Sequence, residues 1–257
     1  MFGDFLKGLK DTIDGLQGAV LHPSAGSFRE TERSSVVGDG ASRSTGLGRW
    51  SGEEFRASMR QHGFSRTIPS ELPREIELRE FRKPIERLLE LTMRDGREYG
   101  RIGVIAPWND SVRLLETSRG TDNEVRIVGK ASALEPAVIF IHTHPTPSGQ
   151  SAGHSYHFSP QDFKAFLAIP SAQVAVVVAN GLTLLLYKTD MTPSFSAEVV
   201  AQLDRLELEI ATNFFIPTDR KGARLTKRAC EQLDIGLFAH KHSSAEYVAR
   251  RIETANG

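Results

Sequence analysis

The thirty residues from Ala137 to Phe166 constrain the fold of this chain more than any other stretch. They begin with the apolar run AVIFI, whose β-branched and aromatic side chains are typical of a buried strand. The run ends in His142 and His144. Because alternate side chains of a strand project to the same side, we expect the two imidazoles to lie together, and neutral imidazole is a good ligand for zinc.

A capped helix is predicted near the end of the same stretch. After a loop rich in Pro, Gly and Ser comes SPQD, in which Ser159 is expected as the N-cap and Pro160 as the first helical residue. Asp162 then falls in the first turn of a helix that continues to about Leu167. Two histidines, one carboxylate and a fourth position left for water are typical of a catalytic zinc site, whereas a structural site uses four protein ligands.

Each part of this pattern has a simpler interpretation when it stands alone. An H-x-H pair is often a pair of solvated loop histidines, and an S-P-x-D sequence is usually only a helix cap. Strand, histidine pair, loop, cap and acid occur here in one order, and each supplies something that zinc chemistry requires. The combination therefore favours a metal site.

The motif resembles that of a known family. The residues HTHP at 142–145, followed by S-x-x-D at 159–162, are similar to the JAMM motif of the JAB/MPN metalloproteases. The family also requires an upstream glutamate at the start of a core strand, commonly just before a glycine, and Glu98 in the sequence REYG matches it. The resemblance covers approximately residues 74–215, and the loop at 145–158 is longer than the family pattern.

The resemblance implies an α/β (α+β) fold of the MPN/cytidine-deaminase-like type, a mixed β-sheet flanked by helices. It implies a single Zn²⁺ held by His142, His144 and Asp162. Glu98 would act as general base on the zinc-bound water, and Ser159 would steady the oxyanion. The implied activity is that of a zinc metallopeptidase or isopeptidase, which hydrolyses an amide or isopeptide bond in a protein or peptide substrate. Ubiquitin-like proteins are among the candidate substrates.

The choice of glutamate depends on the family pattern, because glutamate is common in this chain. Glu90, Glu116, Glu124 and Glu135 compete with Glu98, but none of them precedes a glycine-containing strand in the same way. An ordinary surface glutamate near a turn is the alternative interpretation of Glu98.

Two further histidines, His154 and His157, lie in the loop before Ser159. They are candidates for substrate contacts, for an extra ligand that blocks the site in a resting state, or for solvated loop residues. Gly149 and Gly153 would let this loop act as a lid.

Composition limits the partners and the compartment. Hydrophobic residues make up 39% and charged residues 25%, and Lys plus Arg equals Asp plus Glu at 32 each, so neither nucleic acid nor an anionic membrane is expected as a partner. Cys230 is the only cysteine, which excludes an intramolecular disulfide and fits a reducing cytosol. Because no apolar run approaches the ~20 residues of a membrane span and residues 1–15 lack a secretory core, we expect a cytoplasmic protein without a transmembrane segment.

The chain is predicted to have four segments. Residues 1–21 form an amphipathic helix that packs on the body or binds a partner protein. Residues 22–72 are a linker with a short helix, which begins at a capping box of Ser51 and Glu54. Residues 73–215 form the JAB/MPN metalloprotease domain, and residues 216–257 form a C-terminal helical extension.

Periodicity and turn signals predict the elements of the body. The helices are expected at 73–94, with a kink or break at Pro84, from Ser194 or Ser196 to Asn213, and at 224–233. The strands are expected at 100–106, 111–117, 124–128, 137–142, 173–179 and 182–188, the last two joined by Asn180-Gly181.

Two other functions stay open. A non-catalytic MPN-like scaffold would use its helices for assembly, although such relatives usually lack one or more of the metal ligands and this chain has them all. A secreted effector or toxin would carry the same protease chemistry and would use the N-terminal 70 residues to engage a partner or a secretion apparatus.

Overall fold

The computed structural model describes residues 48–65, 67, 71–127, 129–145 and 157–253 of the chain. These residues form a mixed α/β structure in which a curled, mixed β-sheet is flanked by helices. The amphipathic helix predicted for residues 1–21 and the loop residue His154 lie outside the described residues. None of the described helices combines the length with the apolar character that a membrane crossing requires.

The elements follow one another closely along the chain. The helices are α1 (Gly52–Ser65), α2 (Arg82–Asp95), α3 (Pro160–Ala168), α4 (Ala197–Thr212) and α5 (Thr218–Gln232). The strands are β1 (Arg49–Trp50), β2 (Glu75–Glu77), β3 (Tyr99–Val104), β4 (Arg113–Leu114), β5 (Ser118–Arg119), β6 (Ala137–Thr143), β7 (Val174–Ala179), β8 (Leu182–Lys188), β9 (Ile235–Lys241) and β10 (Val248–Arg251).

All ten strands belong to one sheet in the order β1-β2-β10-β9-β8-β7-β6-β3-β4, and β5 also pairs with β3. Most neighbours are antiparallel, but β6 pairs with β7 in parallel, as β1 does with β2. A parallel pair needs a crossover connection, and α3 lies within the connection between β6 and β7. The helix therefore returns the chain across the sheet and begins after the carboxyl end of β6.

Both faces of the sheet are covered by helices. On β7, Val174, Val176 and Val178 belong to the core shared with α1 and α2, whereas Ala175 and Val177 belong to the core shared with α3, α4 and α5. Because successive side chains point to opposite faces, a strand covered on both sides is apolar throughout, as the sequence VAVVVA is.

Several local predictions are confirmed. Ser51 and Glu54 form the capping box of α1 through reciprocal hydrogen bonds. The turn between β7 and β8 contains Gly181 at a positive φ of 96°, which suits glycine. Ser196 caps α4 by accepting a hydrogen bond from the amide of Val199.

The predicted helix at 73–94 is wrong in its first half. Residues Glu75–Glu77 form β2, which pairs with β10, and α2 begins only at Arg82. Ile76 and Leu78 fit the helical periodicity of the residues that follow, but their two-residue spacing also suits a strand. Pro84 causes no kink because it lies in the first turn of α2, where the missing N–H has no partner within the helix.

The bounds of other elements also differ from those predicted from the sequence. Residues 124–127 of the strand expected at 124–128 have no strand pairing. Of the strand expected at 111–117 only Arg113–Leu114 form a strand, β4, and the short β5 follows it. The segment after residue 216 contributes β9 and β10 to the sheet besides α5, so it is not only a helical extension. The final sheet depends on pairings between distant residues, which local patterns do not contain.

The core position of Phe238 predicts a large effect of its truncation on stability. Phe238 is 0% exposed in the core under α1 and α2, so we expect Phe238→Ala to lower the free energy of unfolding by about 3–5 kcal/mol. Phe214, which is 96% exposed, is the matched control, and Phe214→Ala should change it by less than about 0.5 kcal/mol. Urea unfolding measures both, and similar losses in the two variants would contradict this core.

Candidate metal centre

The two histidines of the H-x-H sequence lie where β6 ends. His142 pairs with Gly100 of β3 on one side and with Val177 of β7 on the other, and the amide of His144 donates to the carbonyl of Val178. Both rings project to the face that carries α3, and the His142 ring lies 6.3 Å from that of Phe158, measured between centroids. The strand thus brings the Nε2 atoms of the two histidines to 3.2 Å from each other.

The carboxylate comes from the first turn of α3. Ser159 is the N-cap, Pro160 is the first helical residue, and Asp162 completes a capping box. Asp162 Oδ2 accepts hydrogen bonds from the backbone N–H of Ser159 at 2.7 Å and from its hydroxyl at 2.8 Å. The Ser159 Oγ in turn accepts a hydrogen bond from the amide of Asp162 at 3.2 Å. The cap therefore fixes the orientation of the carboxylate.

The three predicted ligands converge. His142 Nε2 lies 3.1 Å from Asp162 Oδ1, and His144 Nε2 lies 3.8 Å from Asp162 Oδ2. One donor atom from each residue lies within 4.8 Å of the others. Four ligands about 2.0–2.1 Å from a tetrahedral zinc are ~3.3 Å apart, so the His–His and His142–Asp162 separations match this spacing closely. The donor set fits a divalent metal ion without a large rearrangement.

The charged groups of the cluster shift one another's pKa values. Burial disfavours the charged form of Asp162, but His142, His144 and the Ser159 N–H outweigh it and hold the pKa of this carboxyl well below its usual range. Burial likewise opposes protonation of His142, but Asp162 and Glu98 raise its pKa above the ordinary value. Because only the neutral imidazole is a ligand, the raised pKa makes metal binding by His142 more sensitive to pH.

Glu98 lies beside this cluster, immediately before β3. Its amide donates to the carbonyl of Thr121, and its own carbonyl accepts from the amide of Gly120. The side chain is only 7% exposed. Burial, reinforced by Asp162 and opposed by His142, raises the pKa of Glu98 to about 7. A carboxyl group with such a pKa exchanges protons near neutrality, as a general acid or base must.

The competing glutamates have other environments. Glu90, Glu116 and Glu124 are exposed, and Glu135 forms an ion pair with Arg113. Of these five carboxylates, Glu98 alone is buried and has the charges of His142 and Asp162 among the causes of a shifted pKa.

His157 lies at the edge of the centre. Its ring is 5.8 Å from that of His144 between centroids, and it packs on α5, where a Cβ atom added to Gly222 would lie 2.4 Å from the ring. Its nitrogens do not join the group of three donors among the described residues. The interpretations of His157 as a substrate contact or a resting-state ligand stay predictions.

One polar residue of the centre received no role from the sequence. Thr143, between the two histidines, is fully buried on the opposite face, where its hydroxyl bonds to Thr92 of α2 and to the backbone of Tyr99. The strand alternation that puts both histidines on one face also puts Thr143 on the other, in the core. This alternation was the feature of the sequence that could have predicted its burial.

Comparison with known proteins adds no relative. No protein-family model matches the chain, and no curated protein matches it significantly. The resemblance to the JAB/MPN family therefore depends on the motif residues themselves.

The buried Glu98 predicts a pH-dependent stability of the metal-free protein. A carboxyl whose pKa rises to about 7 on folding contributes stability that is full below its unfolded pKa and is lost as the pH rises through 7. Relative to wild type, Glu98→Gln should therefore gain up to ~3 kcal/mol in unfolding free energy between pH 5 and pH 8. Denaturant unfolding with a chelator present measures this gain. The exposed Glu116→Gln control should show no such trend, and a flat difference for Glu98→Gln would contradict the burial of this carboxyl.

The capping box predicts separate effects of Ser159 on stability and on metal binding. Ser159→Ala should lower the unfolding free energy by about 1 kcal/mol through loss of the cap. It should also weaken zinc binding roughly tenfold, because Asp162 loses the hydroxyl that orients it. Ser196→Ala removes the cap of α4 and is the control: it should have the first effect without the second. Chelator competition measures the affinity, and equal zinc affinities in the two variants would contradict this role.

Proposed function

We propose that this protein is a zinc-dependent metallohydrolase that cleaves an amide or isopeptide bond, a metallopeptidase of the JAB/MPN type with an MPN/cytidine-deaminase-like body. The observation that carries the proposal is the convergence of His142, His144 and Asp162 beside the buried carboxyl of Glu98. A pair of solvated loop histidines would not require a capped carboxylate and a second, protonatable carboxyl group beside it.

The donor set supports zinc as the metal. Two imidazole nitrogens and one carboxylate oxygen leave a position for water, as catalytic zinc sites do. Asp162 is oriented by Ser159, an outer hydrogen bond of the kind that supports metal ligands. A zinc ion in this site would polarise a carbonyl oxygen and lower the pKa of a water molecule toward ~7.

Glu98 is the proposed general base and general acid. Its buried carboxylate would accept a proton from a water in the site and return that proton to the departing amine. The burial that raises its pKa also makes the protonated form available for the second step. This role requires the carboxylate to lie within hydrogen-bond reach of that water, and the electrostatic effects of His142 and Asp162 on its pKa support a position beside the cluster.

Ser159 has a positioning role before any other. Its single hydroxyl proton is donated to Asp162 Oδ2, so a contribution to the oxyanion would require that hydrogen bond to be exchanged. We therefore assign Ser159 first to the orientation of Asp162 and second to the oxyanion, where one donor contributes ~3 kcal/mol.

The proposed substrate is a protein or peptide, and a ubiquitin-like protein joined through a lysine side chain is one form of it. The single cysteine agrees with action in a reducing, cytoplasmic compartment. A non-catalytic scaffold is disfavoured, because it has no use for a buried glutamate beside three metal ligands.

The proposal predicts that metal binding and turnover separate at Glu98. Purified wild type and Glu98→Gln should each hold about one zinc per chain, whereas Asp162→Asn should hold much less, because it removes a ligand. Only the wild type and the control Glu116→Gln should cleave members of a panel of ubiquitin-like fusions.

Elemental analysis and gel-based cleavage measure these outcomes. A chain that contains iron rather than zinc, or a wild type that is fully active without metal, would refute the proposed function. Full activity of Glu98→Gln would be compatible with the metal site but would refute the assignment of Glu98 as the general base.

A further inference from the structure

Two strands part at the candidate centre. β3 and β6 pair as far as Gly100 and His142. Beyond this point the N–H of Tyr99, which faces β6, bonds to the side chain of Thr143, whereas Glu98 pairs on the other side of β3, with Gly120 and Thr121. At the same level β6 stays with β7, through Thr143 and Val178 and then through the amide of His144. Glu98 and the histidine pair thus lie on opposite sides of a split in the sheet.

The hydroxyl of Thr143 spans this split. It accepts a hydrogen bond from the N–H of Tyr99 at 2.9 Å and lies 3.3 Å from the carbonyl oxygen of the same residue. A side chain here bonds to backbone groups that an uninterrupted ladder would pair with backbone. Tyr99 is the immediate neighbour of Glu98, and Thr143 is the immediate neighbour of both histidines.

The hydroxyl of Thr92 supports the hydroxyl of Thr143 from the side of α2. Thr92 of α2 forms a hydrogen bond with the Thr143 hydroxyl, and the two residues are 2% and 0% exposed. The ring of Tyr99 is also held from α2, since its hydroxyl donates to Asp95 at 2.6 Å. The link between the two sides of the split is therefore buried and anchored to a helix that carries none of the proposed metal ligands.

We infer that Thr143, supported by Thr92, is a positioning residue that sets the separation between Glu98 and the histidine pair. The inference rests on the proposed function, since this separation is the space in which water and the scissile bond would lie. Thr143 contacts neither the metal donors nor substrate; it acts through the backbone of Tyr99. Removal of its hydroxyl leaves two buried backbone groups to find other partners, and the nearest way to do so is to move the two strands relative to each other.

The test compares Thr143→Val, which keeps the shape of the side chain, with Thr143→Ser, which keeps the hydroxyl. We expect Thr143→Val to slow cleavage of the fusion panel about ten- to a hundredfold while it still holds about one zinc per chain, and to change the visible absorption spectrum of the Co²⁺-substituted protein. Thr143→Ser should restore both. Thr183→Val is the matched control, because Thr183 is also fully buried, on β8, and its hydroxyl bonds to His242, away from the centre.

Each outcome decides the inference. Slower cleavage at full zinc content and an altered Co²⁺ spectrum in Thr143→Val alone support it, whereas a wild-type cleavage rate and spectrum would overturn it and leave the proposed function intact. If Thr143→Val does not fold, Thr92→Val replaces it, and an unchanged Co²⁺ spectrum there overturns the inference.

A wild type that binds no zinc would overturn the proposed function separately. The inference is then decided in metal-free protein by hydrogen exchange of the Tyr99 amide and by crystal structures of the valine and serine variants. Faster exchange and a changed gap between Glu98 and His144 in Thr143→Val alone support it. Identical exchange and an identical gap in both variants overturn it.

Discussion

The parallel pairing of β6 with β7 is the constraint on which the candidate centre depends. Parallel strands need a crossover, and α3 lies within it, with its first turn near the carboxyl end of β6. His142 and His144 come from that strand end, and Asp162 comes from that first turn. An antiparallel hairpin at this place would have brought a turn, and no capped carboxylate, to the two imidazoles.

The same centre shifts the pKa values of two carboxyl groups in opposite directions. Asp162 receives Ser159 hydrogen bonds and two histidine neighbours, which lower its pKa despite burial, whereas burial dominates at Glu98 and raises its pKa to about 7. Paired groups whose pKa values are pushed apart are a common basis for acid and base roles. One carboxylate is thus suited to hold a cation and the other to carry a proton, although the residues differ by a single methylene group.

The sequence predicted the arrangement of the three candidate donors better than the body around them. H-x-H and S-x-x-D are local patterns, and strand alternation and helix capping suffice to place His142, His144 and Asp162. Glu98 required the family pattern, because nothing local shows that it is buried. β2 was not predicted because its partner is β10, some 170 residues later: Ile76 pairs with Ala249. The helical periodicity that follows Ile76 belongs to α2 alone.

An opening between two strands has an energetic cost that the surroundings must offset. Every unpaired amide or carbonyl in a buried strand costs about 1–3 kcal/mol unless another partner is found. At the split between β3 and β6, the backbone N–H and carbonyl of Tyr99 find a partner in the hydroxyl of Thr143. The bonds that offset this cost also define the width of the opening, so stability and geometry of the candidate centre depend on the same few atoms.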